Sequence, residues 1–232
     1  MMDTSRQLRA VVFDLDGLLL NTEELYQFVG TELMRRRGKT FEEELIQKIT
    51  GRPQAVALQM MIDWHGLDTT VDILARETQE AFAEILDQRL QLMPGAAELL
   101  VALEAARIPK AIATGSGRRF TRDVLGKFHL EPRFEFILTG EDVTHGKPDP
   151  EIYRRAGEKF GLEASQMMAL EDSQNGCKAA VVAGAFTVAV PNGVSSQLDF
   201  SGAALVVDSL ADRRIYEALG LLETDDSRRG AE

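Results

Sequence analysis

The chain has a single cysteine, Cys177, among 232 residues. No intrachain disulfide can form, which fits a reducing compartment. Basic residues are also scarce: 26 Lys and Arg stand against 37 Asp and Glu, a formal charge of −11. A nucleic-acid binder needs a basic face to neutralise phosphates, and none is evident, so nucleic acid is not an expected partner. A small anionic substrate remains open, because a few local donors reverse the field inside one cleft. Long apolar runs are lacking too. The stretch from Ala10 to Leu20 is interrupted by Asp14 and Asp16 and is too short to span a bilayer. With no charged-then-apolar leader, the expectation is a cytoplasmic soluble protein with no membrane partner. His65, His129 and His145 are isolated and lack metal-ligand spacing. There is no internal repeat, no low-complexity segment, and no heptad or exposed apolar stripe, which makes a monomer the default expectation.

What is present is the composition of an ordinary globular protein, 44% hydrophobic and 27% charged. A chain of this length buries roughly 70–75% of its unfolded surface and needs no staple to hold a core. Short apolar runs at Leu8–Phe13, Ile108–Ala113, Phe134–Leu138, Met167–Leu170 and Thr187–Val190 suit strands buried on both faces, with a weaker sixth at Leu205–Val207. Helical patterns lie between them at Ala96–Ala106, Phe120–Phe128, Glu151–Phe160 and Asn175–Ala183. Alternating strands and helices predict an α/β fold, a doubly wound parallel sheet with right-handed crossovers.

One interval breaks this alternation. From about Thr22 to Gln88 there are only helical periods, with Leu25, Phe28, Val29 and Leu33, then Leu58, Met61 and Ile62, at helical spacing. Asn21–Glu24 and Thr40–Glu43 read as capping boxes, and Gly38, Gly51 with Pro53, and Gly66 read as breaks. The expectation is a bundle of about four helices, residues 19–91, inserted into a main domain made of residues 1–18 and 92–232. The polar ends, Met1–Gln7 and Thr224–Glu232, are expected to be loose.

The chemistry-bearing residues fall at strand ends. The first strand runs into Asp14-Leu15-Asp16-Gly17. Two carboxylates at i and i+2, beyond the carboxyl end of a strand, suit either cation binding or a division into nucleophile and acid/base. Taken alone, the pair equally describes a solvated turn. The second strand ends in Ala113-Thr114-Gly115-Ser116, a hydroxyl with small-residue amides for phosphate oxygens. Lys147 follows the third in Gly146-Lys147-Pro148-Asp149-Pro150, and the fourth ends in Glu171-Asp172-Ser173. Singly, Thr114 and Glu171-Asp172 also read as helix caps, and Lys147 as a solvated lysine. Together they place two acidic pairs, a hydroxyl and a lysine along one sheet edge.

In this order the motifs resemble the haloacid dehalogenase (HAD) superfamily, from about Leu8 to Val207. The run Asp14-Leu15-Asp16-Gly17-Leu18-Leu19-Leu20-Asn21-Thr22-Glu23 is similar to the branch of β-phosphoglucomutases, sugar-phosphate phosphatases and pseudouridine-5′-phosphatases, and Leu92-Met93-Pro94-Gly95-Ala96 looks most like the last of these. The resemblance implies a Rossmann-like core with an inserted α-helical cap. It implies Asp14 as nucleophile forming an aspartyl-phosphate, and Asp16 as general acid, then base. It implies Thr114, Gly115 and Lys147 around the phosphoryl group, with Mg²⁺ held by Asp14, the Asp16 carbonyl, Glu171 and Asp172. Lys147 pairing with Asp14 or Glu171 would keep the nucleophile ionised.

The implied activity is a phosphatase acting on a small phosphorylated metabolite, a sugar phosphate or nucleoside monophosphate. Phosphoglucomutase-type transfer and pyrophosphate hydrolysis are the alternatives, with a silent phospho-ligand module behind them. β-Phosphoglucomutases carry a histidine four residues after the motif threonine, and an arginine and a lysine on the cap. Here Tyr26, Gln54 and Thr78 stand at those places. Arg52 reads equally as a substrate ligand and as a solvated loop residue. Arg118, Arg119 and His145 lie close in sequence to site motifs, with solvation as the default. Cys177 reads as a small core residue, and Trp64 with Met60 and Met61 as cap core.

Overall fold

The computed structural model describes residues 7–50, 52–193, 195 and 198–222. The expected breaks at Gly38 and Gly66 follow helix ends, whereas Gly51 and nearly all of both polar ends lie outside the described residues. Among the described residues there are six strands: β1 (Ala10–Phe13), β2 (Lys110–Ala113), β3 (Ile137–Leu138), β4 (Met167–Glu171), β5 (Phe186–Ala189) and β6 (Leu205–Val206). They pair in parallel in the order β3-β2-β1-β4-β5-β6. The helices are α1 (Thr22–Arg36), α2 (Glu43–Ile49), α3 (Gln54–His65), α4 (Val71–Arg89), α5 (Ala96–Ala105), α6 (Arg118–Lys127), α7 (Glu151–Phe160), α8 (Gln174–Ala183) and α9 (Arg213–Ala218).

The strand alternation decides which helices cover which face. Val11, Phe13, Met168 and Leu170 pack with Leu99 and Leu100 of α5, Val124 of α6 and Ile215 of α9. Their strand neighbours Ala10, Val12, Met167 and Ala169 pack with Ile152 and Tyr153 of α7 and Ala180 of α8. Because the side-chain period is two, a continuous apolar strand feeds both layers, and the sheet is covered on both sides. The short six-residue helix α9 has no counterpart in the sequence reading, and β3 is reduced to two residues.

Helices α1 to α4 hold a separate core that includes Leu25, Val29, Leu33, Leu58, Met61 and Leu74. Two capping expectations are corrected here. The α1 helix starts without a side-chain cap bond. Asn21 instead accepts from the Gln91 amide at 2.8 Å and donates to the Arg89 carbonyl at 3.1 Å. Its amide thereby ties the start of α1 to the end of α4, a bond that competes successfully with local capping. The α2 helix begins behind Glu42, which leaves Thr40 too far upstream to cap it. Trp64 is also corrected: Met61 is buried, but Trp64 stays 39% exposed with the Lys48 Nζ 4.4 Å from its ring centroid. Trp64 falls outside the inward stripe of Leu58, Met61 and Ile62, so its ring lies on the surface. Among the described residues, no helix is long and apolar enough to cross a membrane.

Candidate active site

The strand order reverses at β1, whose neighbours β2 and β4 lead to opposite sides of the sheet. Such a switch point opens a crevice beyond the carboxyl ends of the strands. The register fills it. Phe13 pairs with Ile112 on one side and Leu170 on the other, so Asp14 emerges level with Ala113 and Glu171. Residues more than 150 positions apart in the chain are brought side by side by three parallel strands.

Lys147 enters from the loop before α7 and is almost completely enclosed. Its ammonium donates to Asp14 Oδ1 at 2.5 Å, to Glu171 Oε1 at 2.5 Å and to the Ala113 carbonyl at 2.9 Å. All three of its donors are used. Glu171 also accepts from the Tyr153 hydroxyl and, at 3.2 Å, from Ser173 Oγ. Its carboxylate lies over the first turn of α8, where a Cβ on Gly176 would come within 2.0 Å of Glu171 Oε2. Only a glycine lets the helix start pass so close to the carboxylate.

These charges are strongly unbalanced. Burial raises the Asp14 carboxyl to about 8; Lys147 opposes that rise, while Glu171 and Asp16 add to it. Burial also raises Asp172 well above its ordinary value, reinforced by Asp14, Glu23 and Glu171. Lys147 is raised, the attraction of Asp14 and Glu171 outweighing the cost of burial. One lysine therefore does not neutralise the surrounding carboxylates.

Asp16 occupies a different environment two residues on. Its Oδ1 accepts from Thr22 Oγ1 at 2.7 Å, and its Oδ2 from Ser116 Oγ at 2.6 Å and Thr114 Oγ1 at 3.1 Å. Thr22 is the first residue of α1, so the start of that helix contributes to holding this carboxylate. Gly17 turns the chain with a φ of +79°, and a Cβ there would sit 2.3 Å from Asp172 Oδ2. Asn192, from the loop after β5, donates to the Gly17 carbonyl at 2.5 Å and to Asp172 Oδ2 at 3.2 Å.

Tyr153, Asn192, Ser116 and Glu23 were missed by sequence reasoning. Tyr153 and Asn192 carry no local motif, because only folding brings them to the crevice. Ser116 lies in the same motif as Thr114, and its hydroxyl, not expected to matter from the sequence, reaches Asp16. Glu23 closes the run that carries the resemblance and has no role assigned there; burial followed by the charge of Asp16 raises its carboxyl, beside Asp172.

Of the residues expected at the site, Asp14, Asp16, Thr114, Lys147, Glu171 and Asp172 lie at this sheet edge, and Gly115 follows Thr114 into the exposed mouth. Arg52 is exposed on the insert and turns its Nε to the Lys48 carbonyl at 2.6 Å. Arg118 is held by Asp142 at 2.7 Å, Arg119 is solvated, and the exposed His145 lies 3.6 Å from Glu151. Cys177 is buried, and burial pushes its thiol up, as an inert core residue requires.

The donor set fits a metal ion. One oxygen or more from each of Asp14, Glu171 and Asp172 lie within 4.8 Å of one another, all three groups are buried, and the cluster has excess negative charge. All-oxygen carboxylate ligation selects a hard divalent cation over a soft one.

The sequence profile of the haloacid dehalogenase-like hydrolases matches residues 11–190. A probable pseudouridine-5′-phosphatase of Drosophila melanogaster is 36% identical over 213 residues, covering 89% of this chain and 92% of the relative. A phosphorylated carbohydrates phosphatase of Thermotoga maritima is 29% identical, covering 93% and 99%. The crystal structure of a HAD family hydrolase from Deinococcus radiodurans, with bound phosphate and sodium, superposes with a TM-score of 0.77 at 30% identity, over 94% of this chain and 99% of that one. The family profile covers the crevice from β1 through β5, and the relatives carry the match across nearly the whole chain: this protein belongs to the haloacid dehalogenase-like hydrolases, as an enzyme of the phosphatase kind.

Proposed function

We propose that the protein is a Mg²⁺-dependent phosphomonoester hydrolase that acts on a small phosphorylated metabolite through a phosphoryl group carried on Asp14. The observation that carries this reading is the division of labour between Asp14 and Asp16. Asp14 is clamped by Lys147 among buried carboxylates, whereas Asp16 is surrounded by hydroxyls. Two nearby carboxylates in different environments suit a nucleophile and an acid/base.

In the first half-reaction an Asp14 oxygen attacks phosphorus in line, and the bond from phosphorus to the substrate oxygen breaks. Asp16 gives its proton to that departing oxygen. In the second, Asp16 takes a proton from water as the water oxygen attacks phosphorus, and the Asp14–phosphorus bond breaks to release phosphate. Thr114, the Gly115 amide and Lys147 bind phosphoryl oxygens and offset their charge. Asp14, Glu171 and Asp172, with the Asp16 carbonyl, would hold Mg²⁺, which supplies positive charge that lets a carboxylate approach an anionic phosphoryl group.

Residues 19–91 act as the cap over the core of residues 1–18 and 92–232. The Thr22–Asp16 bond couples the cap to the acid/base, and a lid of this kind suits small substrates. Sugar phosphates and nucleoside monophosphates both fit relatives named for pseudouridine-5′-phosphate and for phosphorylated carbohydrates. The mutase alternative is weakened at Thr78, whose buried hydroxyl donates to the Leu74 carbonyl at 2.7 Å and is not free to hold a distal phosphate.

The test is phosphate release from hexose phosphates, nucleoside monophosphates and pyrophosphate, with Mg²⁺ or EDTA, using Asp14→Asn as the blank. Metal-dependent release that vanishes in the variant is expected. Release that persists in Asp14→Asn, or conversion of β-glucose 1-phosphate to glucose 6-phosphate without hydrolysis, would overturn the reading.

A further inference from the structure

Three aromatic rings meet between α1, α4 and α6. Tyr26 and Phe82 stack with centroids 4.5 Å apart and planes 32° apart. Phe120 lies 6.0 Å from Tyr26 and 5.5 Å from Phe82. The rings are not equally covered: Phe82 is 5% exposed and Tyr26 37%. Phe82 therefore backs the group, and Tyr26 is its outward member.

The position of this group relative to the chemistry follows from α1. Thr22, whose hydroxyl holds Asp16, and Tyr26 are related as i and i+4 and share one face of the helix. Tyr26 thus stands about one turn along α1 from the residue that holds Asp16, about 6 Å along the axis. The charge of Asp16, after burial, helps raise the Tyr26 phenol, as expected if the two face one another across the mouth. A phosphoryl group seated at Asp14 would direct its leaving group past Asp16 and onto this ring.

We propose that Tyr26, backed by Phe82 and Phe120, is a stacking platform for a planar ring on the leaving group, so that the preferred substrates are phosphomonoesters bearing a nucleobase-like aromatic ring. The proposal rests on the phosphatase reading for the place of the phosphoryl group. A rigid, pre-stacked tyrosine offers a π-face at little entropic cost. The adjoining rings supply apolar contact but no partners for a ring of hydroxyls, and Arg52 is turned to α2 rather than toward a second phosphate. These features favour a flat base over a polyhydroxyl chain or a bisphosphate.

The decisive comparison is uridine 5′-monophosphate against ribose 5-phosphate, which share the phosphate and the pentose and differ in the ring. Stacking of one base on an aromatic side chain predicts a kcat/KM ratio of about 5- to 100-fold in favour of the ring-bearing ester. Tyr26→Leu should bring that ratio close to one, and Tyr26→Phe should retain it. Equal kcat/KM values for the two esters, or a ratio unchanged in Tyr26→Leu, would overturn the platform and leave the hydrolase reading intact. Equilibrium binding of both compounds to Asp14→Asn with Mg²⁺ gives a readout independent of turnover. A Tyr26-dependent preference in binding without hydrolysis by the wild type would support the platform and remove these two esters from the substrates of the hydrolase. No preference in binding would overturn the platform whatever the turnover.

Discussion

Replacing Lys147 by methionine keeps most of the apolar stem of the side chain and removes its charge. The wild-type ammonium, with only 10% of its side chain exposed, serves Asp14, Glu171 and the Ala113 carbonyl. Removing one partner of a buried ion pair costs about 3–5 kcal/mol, because the other charge stays buried and unpaired. Here two carboxylates lose their counter-charge, but burial already holds Asp14 near 8, so one proton can replace part of the lost charge. The expected loss is therefore about 4 kcal/mol at pH 8 in EDTA, and less at pH 5.5, where that proton is readily taken up. For a chain of this size the loss at pH 8 corresponds to a Tm lowered by roughly 8–16 °C. The lysine itself is raised above its ordinary value, so its contribution is fully present below pH 10.5 and does not change across the assay range. Guanidinium unfolding at both pH values measures the difference. A loss below about 1 kcal/mol at pH 8, or one that grows toward pH 5.5, would refute the assignment of Lys147 as the neutralising charge.

Metal and pH should be coupled through Asp14. Its carboxyl is raised from 3.8 to about 8, so between those values the folded state holds a proton that the unfolded state lacks. Stability in EDTA then falls as pH rises through that window, and the gain from Mg²⁺ grows toward pH 8; thermal melts of wild type and Asp14→Asn at pH 5.5 and 8 check this, and equal Mg²⁺ gains in both proteins at both pH values would contradict it. Asp172→Ala should raise the Mg²⁺ concentration needed for half-maximal phosphate release by about 10-fold or more, and an unaltered titration would place the cation elsewhere. Thr22→Val removes one of three hydroxyls from Asp16 and should lower kcat by about 10-fold with little change in KM; a rise in KM alone would assign Thr22 to substrate binding instead.

The strand ends were legible because parallel strands buried on both faces are written as short, continuous apolar runs. The chemistry then follows at their carboxyl ends, as Asp14, Thr114 and Glu171 do. The four successive helices α1 to α4 were equally legible from the change of period. What sequence reasoning misplaced was local: Asn21 and Thr40 carry capping signals, but the hydrogen bonds of Asn21 go to Arg89 and Gln91, about 70 residues away. Trp64 has the hydrophobicity of a core residue and lies on the wrong side of its helix.

The sequence by itself determined the α/β alternation, the run of helices α1 to α4 that interrupts it and the identity of the charged groups, since each is set by residue type and period. Only the tertiary structure decided how those groups are paired. Lys147 joins Asp14 to Glu171, Tyr153 and Asn192 complete the acidic cluster, and Tyr26 is stacked against Phe82 and Phe120. None of these contacts is encoded by spacing along the chain. Each depends on parallel register and on the crossing of α1, α4 and α6, which bring distant residues within a few ångströms.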